Sequence, residues 1–521
     1  MAEREVDFAD RMSDHEALMW NVEKDPWLNP SGGALALLDR PIDMDILRRQ
    51  IRHGVAHLPR LYQRVVPGLG RLATPVWVPD AEFDLDYHVR EIQLPAPGSE
   101  EQLRKLAAQL YAEPLDRTRP LWRFVAISGV EGGRGALYVL THHAISDGIG
   151  QLRMAEMYQQ LSRDEEPRPE IDLEGIIAAA VAAREPKQLG GDLGENLWAT
   201  TTQSLGFVAR RNLGIVRRAI GQAAIVPADP HRAVDAAQKV SKLASATLAQ
   251  VGAATGEGAS GSPLWAERSR HRHLEYAAVP IDDFKLACRA LGGSVNDGFM
   301  AALAEAAFRY HDERNVSVDG FNSSFVVSTR TDNKAGGNAF TPVPVRLPAR
   351  AESFRARIAE VHELLAEAKD RAASGSNIGN LSGLANLLPT SVVTRTARGQ
   401  AAKLDFVTSN LRGASFPLYI AGAKTLWSAP MGPLAGTPVN VTALSYNGML
   451  DMGLFIDPAA IDDPVAYRDY VQAAFEDLIT EADLEPAKKS TNTSKKSTKK
   501  STKKKSAKKK PAAKKKVAAK R

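Results

Sequence analysis

Apolar residues in this chain recur either in short unbroken runs or at the spacing of one helix face. Ala136 to Leu140 is an apolar run of strand length, preceded by the turn-formers Gly132, Gly133 and Gly135. Behind it, Ile149, Leu152, Met157 and Leu161 return at helical spacing. Gly33 to Leu38 reads as a short strand, and Asp43 to Val55 as a helix with Ile46, Leu47, Ile51 and Val55 on one side. Alternation over Phe83 to Arg90 predicts an exposed strand. Ser99 with Gln102 makes a capping box for a helix that turns Leu103, Leu106 and Leu110 inward, and Ser13 with Glu16 opens a helix in the same way. His15, beside that cap, reads as a surface residue.

The later part repeats these devices. Pro280 to Asp283 opens a helix that stops at Gly292-Gly293. Ser294 with Asp297 caps a long helix running to Arg314. Phe325 to Arg330 reads as a strand and Ser353 to Ala372 as an amphipathic helix. Val439 to Tyr446 and Met449 to Ile456 flank Asn447-Gly448, which predicts a hairpin with a type I′ turn. Asp463 and Pro464 start a last helix to about Glu481. Between these parts, residues 167–272 turn rich in Ala, Gly and Ser and read as an inter-domain connection, with Gly252 to Gly258 a flexible loop. Inside it, Leu205, Val208, Leu213, Val216 and Ile220 share one side of a helical wheel, and Arg210, Arg211, Arg217 and Arg218 the other. Such a helix either packs as a linker or lies in a lipid interface. The expected partition is therefore 1–166, 167–272, 273–485 and a tail from 486 to 521.

At 521 residues the chain has room for two or three domains with full cores. Its 44% hydrophobic and 25% charged residues are ordinary for a globular protein. The one cysteine, Cys288, excludes an internal disulfide, fits a reducing compartment and reads as a buried small hydrophobe. No run approaches the ~18 apolar residues of a membrane span, and Met1 to Glu5 do not begin a secretory signal. A cytoplasmic protein that touches a membrane or lipid-inclusion surface is the expectation. The net charge of +6 hides a division. Of 67 Lys and Arg, 17 lie between Lys488 and Arg521, where there is no acid; the other 487 residues hold 50 basic and 61 acidic side chains, net −11. With no aromatic residue and few apolar ones, that tail is expected to be disordered and to bind anionic lipid or nucleic acid, or to remain a plain soluble appendage.

The candidate chemistry lies in Thr141-His142-His143-Ala144-Ile145-Ser146-Asp147-Gly148, where a predicted strand gives way to a predicted helix. Strand ends in an α/β core commonly carry reactive groups. A neutral imidazole there can take a proton from a hydroxyl and return it to a leaving group. The alternatives are a metal site and an inert turn. Adjacent strand residues point to opposite faces, so the two histidines chelate one ion poorly, and no HExxH pattern or neighbouring cysteine occurs.

The octet matches HHxxxDG, the signature of CoA-dependent acyltransferases related to chloramphenicol acetyltransferase and of peptide-synthetase condensation domains. The wider chain resembles the bacterial wax ester synthase/acyl-CoA:diacylglycerol acyltransferase family. The resemblance is carried, in family order, by the start at Ser13, Trp77 with Phe83 to Arg90, Pro120-Leu121-Trp122, Asn296-Asp297, Gly336-Gly337-Asn338, Val407 to Asn410, Pro417 to Ala423 and Ser445-Tyr446-Asn447-Gly448. Leu411-Arg412-Gly413 departs from the Pro and Gly that usually follow the strand end before it, which leaves substrate contacts in that loop open.

The resemblance implies an α/β fold of the α+β type: two chloramphenicol-acetyltransferase-like subdomains with the active site at their interface. It implies transfer of a long acyl group from acyl-CoA, a substrate and not a cofactor, to diacylglycerol. A fatty alcohol acceptor, giving a wax ester, is the alternative; so is a non-catalytic lipid-inclusion or nucleic-acid tethering protein. His143 would be the base and His142 would shape the loop. Asp147 would hold it, with Gly148 completing the motif. No cofactor or metal is called for. Pro120, Leu121 and Trp122 would wall an acyl tunnel or serve only as a buried strand edge. Asn296 and Asp297 would line the site from a helix N-terminus, whose free N–H groups can stabilise an oxyanion.

Overall fold

The computed structural model describes residues 10–67, 74–184, 261–328, 340–374, 386 and 389–482. The predicted helix at 205–220, the loop at 252–258, Gly336 to Asn338 and the Lys-rich tail lie outside these residues. The first part runs α1 (Asp14–Val22), β1 (Ser31–Leu38), α2 (Met44–His57), β2 (Gln63–Val66), β3 (Val76–Pro79), α3 (Leu85–His88), β4 (Val89–Gln93), α4 (Glu100–Ala112), β5 (Trp122–Val130), β6 (Arg134–His142), α5 (Gly148–Ala155), β7 (Gln159–Gln160) and α6 (Leu173–Arg184). The second runs β8 (His273–Pro280), α7 (Ile281–Ala290), α8 (Val295–Glu313), β9 (Gly320–Ser328), β10 (Phe340–Pro348), α9 (Phe354–Ser374), α10 (Thr390–Ala401), β11 (Phe406–Arg412), β12 (Tyr419–Ile420), β13 (Ala423–Met431), β14 (Val439–Tyr446), β15 (Met449–Ile456) and α11 (Pro464–Glu481).

Local chemistry sets most of these boundaries. Ser13, Ser99 and Ser294 each close a full capping box with Glu16, Gln102 and Asp297, satisfying N–H groups that a helix start leaves open. Leu47, Ile51 and Val55 form the buried stripe of α2. Asn447 and Gly448 both take positive φ, as the tight turn between β14 and β15 requires.

Two predicted elements differ. The segment from Phe83 to Arg90 is not one exposed strand. Asp84 accepts the Asp86 amide (2.9 Å), which winds Leu85–His88 into a helical turn before β4 begins. The helical spacing from Ile149 to Leu161 also overreaches. α5 ends at Ala155, and Gln159–Gln160 instead pair with Tyr419–Ile420 of β12.

Among the described residues, seven strands form one sheet in the order β4-β5-β6-β1-β13-β12-β7 and six form another, β10-β9-β11-β14-β15-β8. β12 and β13 come from the second part of the chain yet complete the first part's sheet. β13 pairs antiparallel with β1 from Gly33↔Met431 to Leu38↔Thr425. Each sheet carries its own buried apolar cluster, and the first also takes in Leu274, Ile420, Met431 and Phe455 from the second part. No helix among the described residues is long and apolar enough to cross a membrane.

β13 also lies on β15. The Ser428 amide donates to Asp451 Oδ2 (2.9 Å), and the Pro430 carbonyl oxygen sits 1.9 Å from where a Cβ on Gly453 would be. A backbone oxygen cannot swing away as a flexible side chain can. Gly453→Ala should therefore destabilise the protein by at least ~2 kcal/mol, read as a lower urea midpoint; an unchanged midpoint would show that the two strands separate freely.

Candidate active site

β6 is hydrogen-bonded on both sides, to β5 and to β1, and is therefore held rigidly up to His142. Side chains alternate along it. Leu137, Val139 and Thr141 line a cavity on one face; His143 follows in the turn after the strand, next to that cavity but not among its lining residues. His142 points the other way and is fully buried. There its ring lies edge-on to Trp20 (6.3 Å) with Nε2 3.4 Å from Glu23 Oε2. The Ala144 amide donates to His142 Nδ1 (2.8 Å) and the Ile145 amide to the His142 carbonyl (2.9 Å), so the ring and backbone of His142 fold the turn that carries His143. Asp147 closes the turn. Its Oδ1 accepts the Gly150 amide (2.8 Å), making it the N-cap of α5.

His143 itself is wedged against β1. Its Nε2 lies 3.0 Å from the place a Cβ on Gly32 would take, so a glycine there leaves room for the ring. Burial pushes the imidazole down to about 4. His142 and His15 act in the same direction, and Asp147 and a backbone hydrogen bond with Ser146 oppose it. The ring is thus neutral at physiological pH, the state a proton acceptor needs. His15 is not the exposed cap neighbour read from sequence. It is half-buried on α1, and burial, opposed by the Asp147 carboxylate, pushes its imidazole down too.

The cavity beside Thr141 and Gly148 measures about 860 Å³. Its walls come from both parts of the chain: Leu61, Trp122, Phe124 and Tyr158 on one side, Leu411, Phe416, Leu418 and Tyr446 on the other. Trp122 combines a buried strand position with a place on this wall. Its Nε1 donates to the Leu61 carbonyl (2.7 Å). Leu121 stands behind the motif, its carbonyl accepting the His142 amide (3.0 Å), while the Pro120 carbonyl accepts the Trp122 amide (3.0 Å). Gly148 faces the second part directly: a Cβ there would meet Leu411 Cδ2 at 3.2 Å. Leu411, Arg412 and Gly413, which depart from the family pattern, all line the cavity.

Residues 12–299 match the wax ester synthase/diacylglycerol acyltransferase catalytic domain, and residues 336–479 match the C-terminal domain of the same proteins. The chain belongs to this family. A Mycobacterium tuberculosis protein provisionally named a diacylglycerol O-acyltransferase is 28% identical over 474 residues, spanning 90% of this chain and 92% of that one. A Mycobacterium bovis protein with the same provisional name is 30% identical over 416 residues, 77% of this chain and 82% of its own. Among solved structures, the wax ester synthase/diacylglycerol acyltransferase of Marinobacter aquaeolei VT8 shares the fold with a TM-score of 0.60 at 22% identity, over 91% of this chain and all of that one. The first condensation domain of the calcium-dependent antibiotic synthetase does so at 0.52 and 17%, over 91% and 97%.

In this family member Asn296 and Asp297 start α8. Burial works against the Asp297 carboxylate, yet the Ser294 amide (2.8 Å) and His362 Nδ1 (2.8 Å) on the same Oδ2 hold it below the usual range. Neither residue is among those lining the cavity beside the motif, and Asn296 is half-buried. His15, Glu23 and Arg117 gather around the motif without having been singled out for it. His15 and Glu23 come from more than a hundred residues before the motif and Arg117 from about 25 before it, and no local pattern signals their approach.

The geometry yields a direct test. In a ring-proton NMR titration, with the signal assigned from its absence in His143→Gln, His143 should stay neutral from pH 8 down to about 5, whereas an ordinary histidine titrates near ~6.5. A midpoint near 6.5 would mean that the ring is hydrated and the site is open.

Proposed function

We propose that this protein transfers a long-chain acyl group from acyl-CoA to the hydroxyl of diacylglycerol, releasing CoA and forming triacylglycerol. The observation that carries the reading is a neutral, largely shielded His143 in the turn after a rigid strand, between Thr141 and Gly148, which line a large cavity, in a chain of this family. The mycobacterial relatives are named for diacylglycerol, which favours that acceptor over a fatty alcohol. His143 accepts the hydroxyl proton as the alcohol oxygen attacks the thioester carbonyl. The carbonyl becomes a tetrahedral oxyanion, its collapse breaks the carbon–sulfur bond, and the CoA thiolate takes the proton back from the imidazolium. The step calls for no covalent acyl-enzyme, cofactor or metal. Asp147 holds the turn without touching substrate, Gly148 borders the cavity, and Trp122 bounds the acyl chain.

Purified protein incubated with palmitoyl-CoA and dioleoylglycerol or hexadecanol, followed by lipid separation, tests the reading. Triacylglycerol is the expected product, and His143→Ala should lower the rate by ~10²–10⁴ while leaving the fold intact. Mainly palmityl palmitate would reassign the acceptor. No product from either would favour a non-catalytic tethering protein.

We further propose that the acceptor enters from a lipid surface. Leu161 is 60% and Phe416 49% exposed, and both belong to the cavity lining, so the apolar wall reaches solvent. The Lys-rich segment from Lys488 onward adds attraction to anionic headgroups at ~1 kcal/mol per residue. Removing Lys488 to Arg521 should leave turnover on detergent-dispersed substrate unchanged and weaken binding to anionic vesicles, with a difference that shrinks as salt rises. Equal vesicle binding at low salt would exclude the tail as a lipid anchor, and tail-dependent duplex DNA binding would replace that role.

A further inference from the structure

Behind the catalytic turn, on the face of β6 away from the cavity, lies a buried charge that the acyl transfer itself does not use. Glu23 follows α1, and its carboxylate is almost wholly shielded from solvent. It is 3.4 Å from His142 Nε2 and accepts from Arg117 Nη1 at 2.5 Å. Arg117 is in turn fixed by the Trp20 carbonyl (2.8 Å to Nη2) and stacks over the Trp20 ring at 3.4 Å. Among the described residues, neither Glu23 Oε1 nor His142 Nε2 completes a hydrogen bond, so the 3.4 Å approach of Oε2 to Nε2 is a close charge contact with the nitrogen facing the carboxylate. We propose that Glu23 is a positioning residue for the reaction, acting on His143 through His142, and that Arg117 keeps it ionised and in place. The proposal rests on the reading of His143 as the base.

One proton links these groups. A neutral imidazole carries it on one nitrogen only. His142 Nδ1 receives the Ala144 amide and must offer a lone pair, so the proton sits on Nε2, the nitrogen facing Glu23. An acceptor at that position makes this tautomer the stable one. The opposite tautomer would set an N–H against the Ala144 amide and open the turn. His143 is enclosed by the same contacts: its own amide donates to the Pro30 carbonyl (3.3 Å) and the next amide is held by the His142 ring. Glu23 thus fixes a proton on His142, His142 fixes the Ala144 amide, and that amide fixes the backbone from which the base projects.

Energetics favour this over a purely structural pair. Burying an ion pair is costly, and replacing both partners by apolar residues is often neutral or stabilising, whereas removing one partner is not. A charge pair kept in a tryptophan-lined pocket with an unmatched oxygen is a poor device for stability alone. It is suited to choosing a tautomer.

Two double variants of the full chain separate these roles. Glu23→Gln with Arg117→Met removes both charges but keeps an acceptor oxygen for His142. Glu23→Leu with Arg117→Met removes the acceptor as well. The Leu pair should lower kcat by ~10–100-fold, the scale of a small misplacement of a catalytic group, with KM for palmitoyl-CoA within about twofold. The Gln pair should retain a kcat at least about tenfold above that of the Leu pair, with thermal midpoints of the two close together. Equal kcat in both pairs would overturn the proposal. Nitrogen-15 spectra of histidine-labelled wild-type protein test it without any turnover. His142 should be protonated at Nε2, and protonation at Nδ1 overturns the proposal even if the Leu pair fails to fold. If wild-type protein made no acyl product, the reading of His143 as the base would fall while the tautomer result still stood.

Discussion

The site depends on the pairing of β1 with β13. Without β13, the seven-stranded sheet would end at β1, and the cavity beside His143 would lose Thr425, Ser428 and Pro430 from its wall. With it, residues about 390 positions apart in sequence become neighbours through main-chain hydrogen bonds, which tolerate little slippage once one face is buried. Two glycines make the joint possible. Gly33 lets β1 approach β6 so closely that a Cβ would fall 2.0 Å from the Val139 carbonyl oxygen, and Gly453 does the same for β15 under β13.

Dehydration then defines the chemistry. The two histidines meet different surroundings: the His143 ring packs against Gly32 of β1, and the His142 ring faces a buried carboxylate. Both environments shield the ionisable group from solvent, with opposite results. For His143, burial outweighs the opposing Asp147 carboxylate and keeps the ring neutral. For Glu23, burial would favour protonation, but His142 and Arg117 more than offset it and keep the carboxyl below its ordinary range. A neutral imidazole and a fixed anion thus stand close together at the end of one strand.

What could be read from sequence was what is encoded locally. Capping serines, the stripe of α2, the turn at Asn447-Gly448 and the strand-to-helix change at the histidine pair all rest on residues within a few positions of one another. The readings that failed were decided far away. Leu161 continues a helical spacing, yet β7 forms at Gln159–Gln160 because β12 arrives to pair with it. His15 looked like a surface residue because its cap is exposed, while its ring is half-buried in the field of Asp147. Glu23 and Arg117 carry no signal in their own neighbourhoods, since their meaning comes from a histidine about 120 and about 25 residues distant.

The single cysteine takes on a different significance beside this chemistry. Cys288 is fully buried on α7, against the start of α8, where a Cβ on Gly298 would strike its sulfur, and burial pushes its thiol up to about 12. Thiolate is the form that exchanges with disulfides and reacts with oxidants. A protein that released free CoA at each turnover would work amid a rising concentration of a reactive thiol and its oxidised dimers. With its one sulfhydryl both inaccessible and protonated, this chain offers them nothing to couple to, so its activity would not follow the redox state of its own product.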